Sequence, residues 1–147
     1  MEEFITTIIA LKGRQHSGKT STLKLLKQFV CNKYARSIKI LHEERDIGCS
    51  KDIFAVLEIN GSLTVGIYSL GDYADAIKAN LQTAISMKCD IVFCACRIHG
   101  KTTDAVKSFE SSTIEVSLIR KIYESDKFKQ DLANKKQVDD LMNLAQL

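Results

Sequence analysis

Gly13, Gly18, Lys19 and Thr20 fill the four fixed places of a G-x-x-x-x-G-K-[ST] pattern in the stretch GRQHSGKT. Those residue types at that spacing make an anion site. Successive backbone N–H groups of such a loop turn inward and form a nest for phosphate oxygens. Gly18 lets the backbone approach where a side chain would intrude. A helix opening at this point aims its free N–H groups and positive dipole end at the same anion. Lys19 adds an ammonium, expected to be exposed and to serve a ligand rather than the core. Thr20 adds a hydroxyl. Arg14, Gln15, His16 and Ser17 inside the loop, and Ser21 after it, complete the residues expected to touch phosphate. Gln15 or His16 either approaches the terminal phosphate with its side chain or contributes only its backbone.

Acidic and basic residues elsewhere are candidates to work with this loop. Asp72 follows an apolar strand in TVGIYSLGDY, with Gly71 before it to permit a sharp turn. It holds a metal through water, orients a water molecule, or caps the helix that starts at Tyr73. Glu43 and Glu44 follow a second strand and serve a phosphate acceptor or belong to a solvated loop. Arg97 and Lys101 follow the strand Asp90–Cys96, whose end points into the crevice where open α/β sheets bind ligands. They are candidates for stabilising charge on a transferring phosphoryl group. Cys94, Cys96 and His99 invite a metal reading, but no C-x₂-C pair or second ligand cluster accompanies them. Buried, reduced cysteines are the expectation, with neither a disulfide nor a bound transition metal.

The context of the glycine-bounded loop is a buried strand before it, FITTIIAL, and a helical pattern after it, STLKLLKQFV. Here the chain resembles the P-loop NTPases. The likeness is specific over Gly13–Thr20 and general, through the order of strands and helices, over most of the chain. It implies a nucleoside triphosphate and Mg²⁺, with Lys19 on the β and γ phosphates and Thr20 and Asp72 serving the metal. An orthodox second motif places an acid directly after four apolar strand residues. Here Tyr68 and Ser69 hold those places and Asp72 comes late. The guanine-reading N-K-x-D falls, in this family, near Cys94–Arg97, which reads Cys-Ala-Cys-Arg, and NKYA at 32–35 lacks the Asp. ATP is therefore preferred to GTP. Lys19, Asp72 and Arg97 are the candidate catalytic set. The implied activities are ATP hydrolysis, an ATP-dependent switch of partner affinity, or a small kinase. The five arginines do not gather into a lid, and only the polar stretch Glu43–Asp52 is long enough to cover a substrate, which favours the first two.

The elements that must position these residues follow from periodicity. Phe4–Leu11 reads as a strand buried on both faces. Thr20–Tyr34 reads as a helix with Leu23, Leu26, Val30 and Tyr34 on one stripe. Ser37–His42, Ile53–Ile59, Leu63–Leu70, Asp90–Cys96 and Thr113–Ile119 read as strands. Asn60–Gly61 marks a hairpin between the third and fourth. The strand that ends before Asp72 is expected beside the first. Helices are expected over Tyr73–Lys88, Thr102–Ser111 and from Asp126 to the chain end, the last bending near Asn134. Alternating strands and helices predict a three-layer α/β sandwich with a mostly parallel, mixed sheet and the phosphate loop between strand 1 and helix 1.

At 147 residues and 45% hydrophobic, the chain has the dimensions of one domain with an aliphatic core, since Trp is absent. A formal charge of +3 with scattered lysines does not describe a dedicated nucleic-acid surface. No apolar run approaches the roughly 20 residues of a membrane span, and the N-terminus lacks a signal-peptide pattern. Five cysteines without a disulfide framework fit a reducing, cytoplasmic setting. A single domain of this kind is expected to act with a partner chain or a second copy of itself.

Overall fold

The computed structural model describes residues 5–47 and 51–147. Ten elements follow in the order β1 (Thr6–Lys12), α1 (Lys19–Lys33), β2 (Ile38–Ile47), β3 (Asp52–Ile59), β4 (Leu63–Tyr68), α2 (Ala74–Ser86), β5 (Ile91–Cys96), α3 (Lys101–Lys107), β6 (Ile114–Arg120) and α4 (Lys127–Leu144). One six-stranded sheet runs β2-β3-β4-β5-β1-β6. β4, β5, β1 and β6 are mutually parallel, and β3 is antiparallel to both β2 and β4. The α/β class and mixed sheet are as expected.

Alternation along the central strands explains the layers. Ile9 and Leu11 of β1 with Phe93 and Ala95 of β5 face α1 and α4, joining Leu23, Leu26, Val30, Val138 and Leu141. Ile8 and Ala10 with Val92, Cys94 and Cys96 face the other way, against Ile77, Leu81 and Ala84 of α2 and Ala105 and Val106 of α3. The two faces make three layers. Because β1 is followed by a helix on one face and β5 by a helix on the other, the crevice outside their C-terminal ends is a switch point, where open α/β sheets bind ligands.

The hairpin between β3 and β4 turns at Asn60 and Gly61, whose φ values of 55° and 69° are the two positive angles of a type I′ turn. Four expectations are corrected. β4 does not lie beside β1, because β5 inserts between them. β2 continues to Ile47, so residues 43–47 of the stretch expected as a covering loop are edge strand. Its polar residues give no apolar alternation because that strand has a neighbour on one side only. α4 runs unbroken through Asn134. Its inner face carries buried Asn134 and Gln137 beside Val138 and Leu141, so the apolar stripe drifts while the helix does not. Lastly, Gly71 is not among the residues with positive φ. A Cβ there would stand 2.8 Å from the Ala95 backbone, so the glycine serves close packing of the β4–α2 loop on β5.

Candidate functional site

The loop between β1 and α1 opens at the switch point. The Gly13 N–H donates to the Cys96 carbonyl at 3.1 Å, fastening the loop start to the end of β5. A Cβ on Gly13 would meet Ser17 Oγ at 2.7 Å and Lys121 Cβ at 2.8 Å, so no larger residue fits. Gly18, with φ 94°, precedes the first residue of α1 in the left-handed region that only glycine enters cheaply. His16 also takes a positive φ, 61°.

α1 begins without a side-chain cap and without an acidic residue in its first turn. Its first N–H groups have no carbonyl one turn earlier, and nothing negative on the helix offsets its dipole. α4 shows the contrast: there the Asp126 carboxylate accepts from the Lys129 N–H at 2.9 Å. An anion at the start of α1 would occupy the place that Asp126 fills on α4.

Lys19 is not the exposed cation expected. It is 7% exposed, and its ammonium donates to the Gly13 carbonyl at 2.7 Å and the Cys96 carbonyl at 3.2 Å. Burial lowers its pKa, Asp72 and Cys96 oppose that shift, and Arg97 adds to it. The side chain thus ties the loop start to the end of β5, with only neutral carbonyl acceptors on its charge.

Thr20 points to a residue that sequence reasoning missed. Its hydroxyl donates to Asp52 Oδ1 at 3.1 Å, and the same oxygen accepts from Ser69 Oγ–H at 2.7 Å. Asp52 is 2% exposed. It opens β3, which runs opposite to its neighbours, so a strand start lies at the sheet end where the parallel strands finish. Ser69, standing where an acid was sought at the end of β4, also accepts from the Ile53 N–H and fixes the hairpin end around the carboxylate.

Asp72 and Arg97 meet across the mouth of the crevice, with Nε 3.5 Å from Oδ1. Asp72 caps nothing: the residue before α2 is Tyr73, and no side chain caps that helix. Arg97 is pinned through its backbone, its N–H donating to Thr102 Oγ1 at 2.9 Å and its carbonyl accepting from Thr103 Oγ1 at 2.6 Å. Lys101 and His99 line a neighbouring open groove with Asp72 and Arg97.

The structure joins Gln15, His16, Ser17, Gly18, Lys19, Thr20, Ser21 and Asp72 around one cleft of about 810 Å³, with Ile47, Ser69 and Tyr73 on its far wall. Gln15 and His16 are exposed, and the Arg14 guanidinium instead lies 5.5 Å from the Tyr123 ring centre. Glu43 and Glu44 take other duties on β2. Glu43 is held by Arg45 and by Lys27 of α1, which pull its carboxyl down to about 2. Glu44 pairs with His42 at 2.9 Å. Cys94 and Cys96 share a strand face, as alternation predicted, and both are buried. Burial pushes the Cys94 thiol up to about 12. Among the described residues Cys31, Cys89, Cys94 and Cys96 are free, and no three His, Cys, Asp or Glu side chains gather to hold a metal. No described helix is long and apolar enough to cross a membrane.

Hard oxygen donors suit magnesium, which keeps several waters and needs only one or two protein ligands. The Thr20 hydroxyl and the buried Asp52 carboxylate fit that demand. No protein-family model, no curated protein and no solved structure matches the chain.

Proposed function

We propose that the chain is a P-loop protein that binds ATP with Mg²⁺ on the Gly13–Thr20 loop and hydrolyses it. One observation carries this reading: an uncapped helix start, a buried ammonium and a hydroxyl bonded to a buried carboxylate converge within one cleft at the switch point. Each would meet a different part of a metal-bound triphosphate. The α1 N–H groups would take phosphate oxygens, with Gly18 allowing their approach. Lys19 would leave the Gly13 and Cys96 carbonyls for the β and γ phosphates. Thr20 and Asp52 would hold Mg²⁺, which when bound supplies positive charge against the phosphate oxygens.

Asp72 and Arg97 are left for the chemistry. Both stand at the mouth rather than the floor, each half-exposed. Arg97, released from Asp72, would offset charge developing on the terminal phosphate. Asp72, released from Arg97, would accept a hydrogen bond from the attacking water and orient it. The continuation of β2 takes residues 43–47 out of the segment expected to cover a second substrate, which supports hydrolysis over transfer to an acceptor. ATP rather than GTP rests on the missing guanine-reading motif.

A fluorescent ATP analogue titrated with Mg²⁺ against wild type and Lys19→Ala tests the reading. Micromolar or tighter binding in wild type, weakened at least tenfold in the variant, is expected. Release of ADP without any acceptor is expected alongside it. Equal affinity in the two proteins would remove the phosphate-loop assignment; release only when a nucleoside monophosphate is added would make the protein a kinase.

A further inference from the structure

A second cavity, of about 360 Å³, lies against Gly13, Arg14 and Ser17 of the loop and the segment that follows β6. Among the described residues it is lined by three cations, Arg14, Arg120 and Lys121, and by no carboxylate. Two of its groups are incompletely satisfied. Ser17 is 4% exposed, and its buried Oγ has no hydrogen-bond partner among the described residues. Lys121 is 4% exposed. Two of its ammonium protons go to the Ile122 carbonyl and Asn134 Oδ1, both neutral, and the third has no partner among the described residues.

A buried ammonium among neutral acceptors is costly, as is a buried hydroxyl without a partner. Burial is the one cause of the lowered Lys121 pKa; no acidic neighbour opposes it. The position is nevertheless built with care. Asn134 is itself held by Gln130 at 2.7 Å, and Gln137 ties α4 to Ile122 and Arg120 through their backbones. Arg14 is laid against Tyr123 at the rim. A framework that brings an unneutralised cation, an unpartnered hydroxyl and two arginines to one cavity lacks only the negative group.

We propose that this cavity is a second anion site, which takes a phosphate monoester or inorganic phosphate between Arg14, Arg120, Lys121 and the Ser17 hydroxyl. Arginine offers a planar fork to phosphate oxygens and lysine a point charge. Ser17 Oγ–H and the remaining Lys121 proton would complete the donor set. The cavity shares Ser17 with the nucleotide cleft but uses neither Lys19 nor Thr20, so the two readings are tested by different variants.

The probe is inorganic phosphate, titrated calorimetrically into Lys19→Ala, in which the first cradle has lost its ammonium. Saturable binding of one phosphate is expected. Adding Arg14→Gln, at an exposed position that leaves the fold intact, should weaken it at least tenfold. Lys121→Gln should do the same, and Arg36→Gln, far from the cavity, should not. Absence of saturable binding in Lys19→Ala would overturn the proposal. So would binding indifferent to Arg14→Gln, or uncharged adenosine binding more tightly than phosphate. Failure of the nucleotide reading would show separately, as unchanged ATP affinity in Lys19→Ala.

Discussion

Asp52→Asn is the substitution that bears most directly on the site. The asparagine oxygen can still accept from Ser69 and Thr20, at the places where Oδ1 now stands 2.7 and 3.1 Å from them. What changes is charge. Hydrogen bonds to an ionised acceptor contribute about 1.5–3 kcal/mol against about 1 for neutral pairs, so the bonds from Ser69 and Thr20 weaken by about 1–4 kcal/mol in all. The lower cost of burying an amide offsets part of this. The loss of stability through these two bonds should therefore stay below about 4 kcal/mol. Asp52→Ala would cost more, because it leaves the buried Ser69 hydroxyl unpaired, a penalty of about 1–3 kcal/mol.

The effect on magnesium is read separately from the effect on folding. Unit charges about 4 Å apart interact by about 4 kcal/mol at an effective dielectric constant of about 20. Even with most of that lost to solvent, Asp52→Asn should raise the magnesium concentration for half-maximal turnover at least tenfold, or about 1.4 kcal/mol. Without magnesium, in excess EDTA, ATP affinity should be unchanged or slightly tighter, since a negative charge has left the phosphate site. Turnover against magnesium concentration, with ATP binding in EDTA, makes the measurement. A magnesium dependence identical to wild type would refute the assignment of Asp52 and leave its carboxylate as a structural anchor of the hairpin.

Asp72→Asn should lower turnover at least tenfold while the melting temperature hardly moves, because an exposed ion pair contributes about 1 kcal/mol at most; unchanged turnover would remove Asp72 from the reaction. Lys121→Met should change the pH dependence of stability. The folded-state pKa of Lys121 is lowered to about 8 from 10.5, so between those values the unfolded chain binds the extra proton and wild type gains stability as pH rises. Relative to the variant, that gain should reach about 2–3 kcal/mol by pH 10.5, read from urea denaturation. In the native state Cys89 and Cys94, buried and with thiols raised to about 12, should react with a maleimide at least a hundredfold more slowly than in urea. Comparable rates would show that this face of the sheet opens readily.

Much of the fold was legible because local rules coincide with it. Ile8–Leu11 is apolar on both faces and lies in the middle of the sheet. Asn60–Gly61 fits the one hairpin turn with two positive φ angles, and the turn is there. Other features depend on partners distant in sequence. The insertion of β5 between β1 and β4 is a pairing between strands distant in sequence, which no window of residues records. β2 beyond His42 is polar because it is an edge, held by its pairing with β3 and by Lys27 on Glu43. α4 looked bent near Asn134 because its apolar positions drift around the helix, and the buried Asn134 finds its partner in Lys121, thirteen residues earlier.

Asp52 was missed for a different reason. The acid was sought at the finishing ends of strands, since these line the crevice in a parallel sheet. The hairpin signal already implied that β3 runs the other way, so the first residue of β3, not its last, lies at that end. DIFAVLEI opens with a carboxylate directly before its apolar run, the mirror of the orthodox order. Ser69, in the place where β4 should have carried the acid, donates its hydroxyl to that carboxylate from one strand away. The buried carboxylate stands one strand away from β4, bonded to the Thr20 hydroxyl. A mixed sheet permits this and a wholly parallel one does not, because only an antiparallel strand can offer its beginning to a crevice that its neighbours reach with their ends.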